Sequence, residues 1–145
     1  MIDQDKRDAI ISESARWFGH DNALIELNDD LFCSEKPVYG GGIALFSYLS
    51  RESLEKLIAE GFANPENNQN ISPTLGKFLN FIKEHPNFTV NGYAVEAERD
   101  DCRVTITGLE YKGKYSEEEK KAFLNFAARA TNTLIENEHL FCWWD

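Results

Sequence analysis

The feature that most constrains the fold is a pair of stretches, residues 88–98 and 102–110, in which apolar and polar side chains alternate. In the second stretch Val104 and Ile106 alternate with polar neighbours, a period of two that is typical of a half-buried β-strand. Residues 99–101, Arg-Asp-Asp, form a short polar connection between the two stretches. The sequence therefore predicts an antiparallel hairpin with one buried face and one face that carries charges and hydroxyl groups.

Four other segments carry the three-to-four-residue apolar spacing of a helix with one buried face. Ser50, the Ser72-Pro73 pair and the Ser116…Glu119 capping box each resemble a helix N-terminus. The four helices are predicted over residues 3–18, after Ser50, from Ser72 to Pro86, and from Ser116 to Leu134.

The order of these elements indicates the fold class. A smaller hairpin is predicted from residues 23–27 and 31–33, and residues 43–49 fit either a buried strand or the start of a helix. Because hairpins and helices follow one another without regular β-α-β alternation, we expect an α+β fold. It is a single domain over residues 1–145, with an antiparallel sheet from two hairpins and about four helices packed mainly on one face. The sheet is mixed if residues 43–49 form a central strand.

Composition excludes several classes of function. The 145 residues include 15 basic and 25 acidic side chains, which gives a formal net charge of −10. That balance argues against a nucleic-acid-binding protein that neutralises phosphates and against a polybasic membrane-surface module. No stretch approaches 18 apolar residues, and the first residues lack the pattern of a signal peptide, so the expected location is the cytoplasm.

The motifs of common catalytic and metal sites are missing. The three cysteines are odd in number and widely spaced, which indicates reduced thiols and not a disulfide framework or a cysteine-based zinc site. No histidine has zinc-ligand spacing, and no nucleophile elbow is present. Residues 40–42, three glycines, match neither phosphate-binding glycine motif and are typical of a turn. We therefore expect no metal and no cofactor, assign no catalytic residue, and favour a non-enzyme.

The acidic residues are unevenly distributed. Residues 1–70 hold 13 acidic and 6 basic side chains, whereas residues 71–145 hold 12 and 9. One group surrounds the smaller predicted hairpin with only Lys36 nearby: Asp21, Glu26, Asp29, Asp30 and Glu35. The hypothesis is an acidic face that docks a basic partner protein, as an inhibitor or immunity-type protein would. An acidic surface that merely keeps the domain soluble is the alternative.

A second hypothesis is a small enzyme or ligand-binding domain with a pocket between the sheet and the helices. Its candidate residues combine a titratable ring, a phenol and two anion-binding groups near one hairpin: His85, Tyr93, Arg99 and Arg103. The apolar end of the chain raises a separate question about assembly. It is expected to form an internal strand or to tuck against the sheet, and the alternative is a homodimer through Trp143 and Trp144.

Overall fold

In a computed structural model the described residues are 1–18 and 33–145. Within them four helices and seven strands follow one another in this order: α1 Gln4–Ser12, β1 Arg16–Phe18, β2 Cys33–Ser34, β3 Ile43–Leu49, α2 Arg51–Ala59, α3 Leu75–Glu84, β4 Thr89–Val95, β5 Val104–Lys112, α4 Glu117–Phe126, β6 Asn132–Glu136 and β7 His139–Trp143.

All seven strands belong to one antiparallel sheet, in the order β2-β1-β3-β4-β5-β7-β6. The prediction of an α+β fold with an antiparallel sheet is confirmed. Residues 43–49 form a central strand, and because both of its neighbours run antiparallel to it the sheet is not mixed. The apolar end of the chain is an internal strand, β7, which lies between β5 and β6.

One face of the sheet packs against the helices, and we call it the covered face. Apolar side chains at alternate strand positions meet helix side chains such as Leu54, Phe78 and Phe123 in a single core cluster. The strand residues in this cluster include Trp17, Phe46, Val90, Ile106, Leu109, Leu140 and Cys142, and Trp144, which follows β7, joins them. Aromatic rings meet edge to face there, for example Phe78 and Trp144 at 5.5 Å between centroids. Burial of these side chains is the main stabilising contribution to the fold.

The hairpin predicted from the alternation is present as β4 and β5, with a register shift between Asn91 and Gly92. Gly92 is required at that point, because a Cβ there would lie 1.9 Å from the backbone oxygen of Thr105. The second strand begins at Val104, two residues later than the predicted stretch, and Cys102 before it is half-buried.

Three of the four predicted helix starts are confirmed, the first because Asp3 caps α1 and accepts from the Lys6 backbone N–H. The Ser50 hydroxyl accepts from the Ser53 backbone, and Ser116 and Glu119 form the expected capping box. The start predicted at Ser72 is wrong by two residues: Thr74 caps α3, and the Ser72 hydroxyl instead accepts from the Gln69 backbone N–H.

Two helices are shorter than predicted. α1 ends at Ser12, and Trp17 lies in β1, where it donates its indole N–H to the Ser12 hydroxyl at 2.8 Å. α4 ends at Phe126, and Leu134, predicted to extend its apolar stripe, lies in β6 opposite Phe141. In both cases pairing with a distant strand overrides the local helical spacing. The smaller hairpin lies outside the described residues except for its last residue, Cys33.

Candidate functional site

The candidate site is a cavity on the sheet face opposite the helices, which we call the open face. Phe18, Leu45, Tyr93 and Thr105 lie side by side across β1, β3, β4 and β5, in positions that alternate with those of the core. The cavity has a volume of about 250 Å³. Its wall combines apolar and aromatic side chains, neutral polar groups and one carboxylate, among them Phe18, Leu45, Ser47, Gln69, Asn91, Tyr93, Thr107, Phe141, Trp143 and Asp145.

Three of the four residues predicted for a pocket are joined through hydrogen bonds. Tyr93 lines the cavity, and its hydroxyl accepts from the Arg103 guanidinium at 3.0 Å and contacts Gln69 Oε1. Asp101 binds both Arg103, at 3.2 Å, and Arg99, at 2.8 Å. These salt bridges hold the pKa of the exposed Asp101 carboxyl below its ordinary value, mainly through the Arg99 hydrogen bond.

The fourth residue, His85, has different surroundings. It follows the last residue of α3, and its ring packs against Phe81, at 4.8 Å between centroids, and Phe88. The cavity also differs from the predicted pocket in position. It lies on the open face, whereas the space between the sheet and the helices is filled by the apolar core.

A buried polar network adjoins the cavity, and no sequence motif indicated it. The Glu110 side chain, 5% exposed, contacts His139 Nε2 at 2.6 Å and accepts from the Asn91 amide at 3.3 Å. Asn91 in turn accepts from the Tyr48 backbone N–H. The network joins β3, β4, β5 and β7, and it satisfies groups that would otherwise be costly to bury.

A ladder of rings runs along β7 on the same face. The His139 ring is stacked on Phe141 at 6.3 Å, and the Phe141 ring lies 5.1 Å from Trp143. These residues alternate along the strand, so their side chains share one face. The next tryptophan, Trp144, is buried on the covered face, and its indole N–H has no hydrogen-bond partner among the described residues.

A second buried polar cluster lies beside α1 and was also missed. Arg7, fully buried, donates to the Val95 backbone oxygen at 2.6 Å and to the Tyr39 hydroxyl at 2.7 Å, and pairs with Asp8 at 3.1 Å. Burial raises the pKa of the Asp8 carboxyl, although bonds from Tyr39 and Arg7 partly offset it. Burial and the bond to Asp8 also raise the pKa of Tyr39. The polar side chains of this cluster bond to one another and to the Val95 backbone oxygen, so the cluster links α1 to the sheet.

Most of the residues predicted for the acidic face lie outside the described part of the chain: Asp21, Glu26, Asp29 and Asp30. The fifth, Glu35, is exposed. Elsewhere in the described ranges, many carboxylates are dispersed and paired with basic side chains. Examples are Glu60 with Lys6 at 2.9 Å and Glu13 with Lys56 at 2.8 Å.

The Cys142 thiol and the three glycines at 40–42 lie in surroundings that indicate structural roles. Cys142 is fully buried, and burial raises the pKa of its thiol to about 12, so it is not a nucleophile near neutral pH. The glycines at 40–42 form a tight turn into β3 with positive φ at Gly41 and Gly42, and the Gly41 oxygen accepts from Arg99.

Within the described residues, no group of three or more potential ligands converges to hold a metal ion. No helix in this part of the chain is long and apolar enough to cross a membrane.

Together these features define an α+β domain with a seven-stranded antiparallel sheet and an aromatic-lined cavity on its open face. The chain matches no family model, no curated protein and no solved structure.

Proposed function

We propose that this chain is a small protein-binding module that docks a basic partner protein, in the manner of an inhibitor or immunity-type protein that neutralises a cationic enzyme. The observation that carries the proposal concerns residues 19–32, which hold four carboxylates and no lysine or arginine. The residues on either side of this acidic segment, Phe18 and Cys33, are paired neighbours in the sheet. Of these two flanking residues, Phe18 lines the open-face cavity.

The negative charge of the acidic segment supports the proposal that the partner protein is basic. The segment accounts for −4 of the formal net charge of −10, in 14 of the 145 residues. A concentration of one charge sign at a binding surface steers an oppositely charged protein toward it and raises the association rate. Elsewhere in the described ranges, salt bridges such as Lys6–Glu60 and Lys56–Glu13 neutralise part of the acidic surface.

A cytoplasmic location is part of the same proposal. The free thiols of Cys102 and Cys142 support it, because cysteines stay reduced in the cytosol.

The test begins with capture of proteins from native extract at low and at high salt, followed by association-rate measurements with the purified partner. We expect the association rate to fall steeply with added salt, and to fall at least tenfold in the double variant Asp29→Lys/Asp30→Lys. The matched control is Glu117→Lys/Glu118→Lys, which makes the same change of charge at exposed positions on α4. Equal association rates for the two double variants, or a captured partner that is itself acidic, would refute the proposal.

A ligand-binding domain is the second candidate, and the cavity wall favours it. Tyr93 lines the cavity, and Arg103 is bonded to the Tyr93 hydroxyl, so an anionic group could reach a fixed guanidinium. We would then expect small carboxylates or phosphates to raise the thermal midpoint of unfolding, and Arg103→Gln to remove that effect. A panel of such anions that leaves the midpoint unchanged would eliminate this candidate.

A further inference from the structure

The open-face cavity lies just below the usual size range of small-molecule sites. Ligand pockets typically enclose roughly 300–1,000 Å³, whereas this cavity has about 250 Å³. Its size therefore fits one side chain of a partner better than a cofactor or a whole metabolite. A pocket of this kind, with aromatic walls, is where interface anchors are usually found.

The chemistry of the wall favours a cation. Aromatic rings dominate it, and Asp145 is the only charged residue among the described residues that line it. The faces of aromatic rings carry negative potential and attract ammonium and guanidinium groups within about 6 Å. The neutral polar groups of Ser47, Gln69 and Asn91 add oxygen atoms that can accept hydrogen bonds from such a group.

The same face already holds cations over its rings. The Arg103 guanidinium lies 5.6 Å from the centre of the Tyr93 ring, and the Lys112 ammonium lies 5.1 Å from the centre of the Tyr48 ring. Arg103 shares the Asp101 carboxylate, at 3.2 Å, with Arg99, so that carboxylate offsets part of the positive charge of the two guanidinium groups. The rings of Phe141 and Trp143, 5.1 Å apart and tilted by 36°, offer a further ring surface in the wall of the cavity.

Another cavity, which we call the second cavity, provides a contrast. It encloses about 400 Å³ beside α3 and α4, and two basic residues, Lys77 and Arg129, line it together with Phe126 and Trp144. Aromatic rings are present in both cavities, but only this one presents positive charge. Aromatic character alone therefore does not distinguish the two, whereas the sign of the charge does.

We propose that the open-face cavity binds one arginine or lysine side chain of the partner protein, with its cationic group against Trp143 and Phe141 and within reach of the Asp145 carboxylate. This inference rests on the proposed function, because it names the chemical group of the basic partner that the module recognises.

The experiment titrates the ¹⁵N-labelled full chain with N-acetyl-arginine amide and, separately, with N-acetyl-citrulline amide. The citrulline probe has nearly the same shape but no charge. We expect the arginine probe to shift the Trp143 indole signal and the side-chain amide signals of Gln69 and Asn91 in a saturable way. The citrulline probe should bind at least tenfold more weakly.

Two variants locate the site. Trp143→Leu should weaken binding of the arginine probe at least tenfold, and Asp145→Asn, at an exposed position, should weaken it about threefold without disturbing the fold. Phe126→Leu, in the wall of the second cavity only, should bind the probe like the parent. Equal binding of the two probes, or shifts confined to signals away from the cavity, would overturn the inference.

The outcomes separate this inference from the proposed function. If Asp29→Lys/Asp30→Lys slows a basic partner but the arginine probe leaves the cavity signals unchanged, the function stands and the cavity assignment falls. If the probe binds in the cavity while the charge reversal leaves association with the partner unchanged, the cavity assignment stands and the acidic docking falls.

Discussion

The two faces of the sheet are built from the same strands and yet have different chemistry. On the covered face, Phe78, Phe88 and Phe123 are almost completely buried in one continuous core. On the open face, Tyr93, Phe141 and Trp143 are only partly buried and stand among polar groups. Because successive strand residues point to opposite faces, one strand can contribute to stability on one side and to recognition on the other.

Trp143 and Trp144, neighbours at the end of β7, test the difference between the two faces most directly. We expect Trp144→Ala, on the covered face, to lower the free energy of unfolding by about 3–5 kcal/mol, because it removes ring contacts with Phe78 and Phe126 and leaves a cavity. Trp143→Ala, on the open face, should cost about 1 kcal/mol. Urea unfolding followed by circular dichroism measures both values. Similar losses for the two variants would show that the two faces contribute equally to stability.

The Arg7 cluster shows that the helix-covered side also contains buried charge. We expect Arg7→Ala to lower the free energy of unfolding by about 3 kcal/mol, since it leaves the Asp8 carboxylate buried without its partner. The control is Lys56→Ala, which removes the exposed pair with Glu13 and should cost under about 1 kcal/mol. A small effect of Arg7→Ala in urea unfolding would mean that the cluster does not attach α1 to the sheet.

The polar network of the open face should contribute less than the core. Glu110→Gln replaces a buried charge that faces His139 and keeps a polar group beside Asn91, so we expect a loss of about 1–2 kcal/mol. Glu136→Gln, at an exposed position opposite His139 on β6, should change stability by less than about 0.5 kcal/mol. If the exposed variant is the more destabilised of the two, the network is not a stabilising element.

The thiols provide a comparison that needs no substitution. Cys142 on the covered face should react with a thiol reagent at pH 8 only after urea is added, whereas the half-buried Cys102 should react first. Since the pKa of Cys142 is raised from 9.0 to about 12, its contribution to stability is complete below pH 9 and is lost as the pH rises toward 12. Alkaline urea titrations should show that loss. Rapid reaction of both thiols in native buffer would mean that the core opens readily.

Local signals predicted the parts of this fold that depend on neighbouring residues. The alternation in β4 and β5 and the caps at Ser50 and Ser116 are present as expected. By contrast, β1 and β6 were missed because each forms by pairing with another strand, and residues such as Leu134 fit a helical stripe equally well.

The candidate site was harder to predict for the same reason. Tyr93 and Arg103 were selected by residue type and hairpin position, and the structure joins them. The Glu110–His139 contact spans 29 positions in the sequence, and the bond from Arg7 to the Val95 oxygen spans 88. No spacing rule connects such residues, because the distance between them is set by the order of strands in the sheet.

The order of the strands also determines which edge of the sheet another copy of the chain can contact. β6 forms one margin of the sheet, and no described residue pairs with its outer side, while Ile135 is 44% exposed there. A margin of this kind is a template on which another chain can add a strand and begin aggregation. Glu136 and Glu138 place exposed negative charge beside this margin, and charges at such a position oppose the addition of another strand.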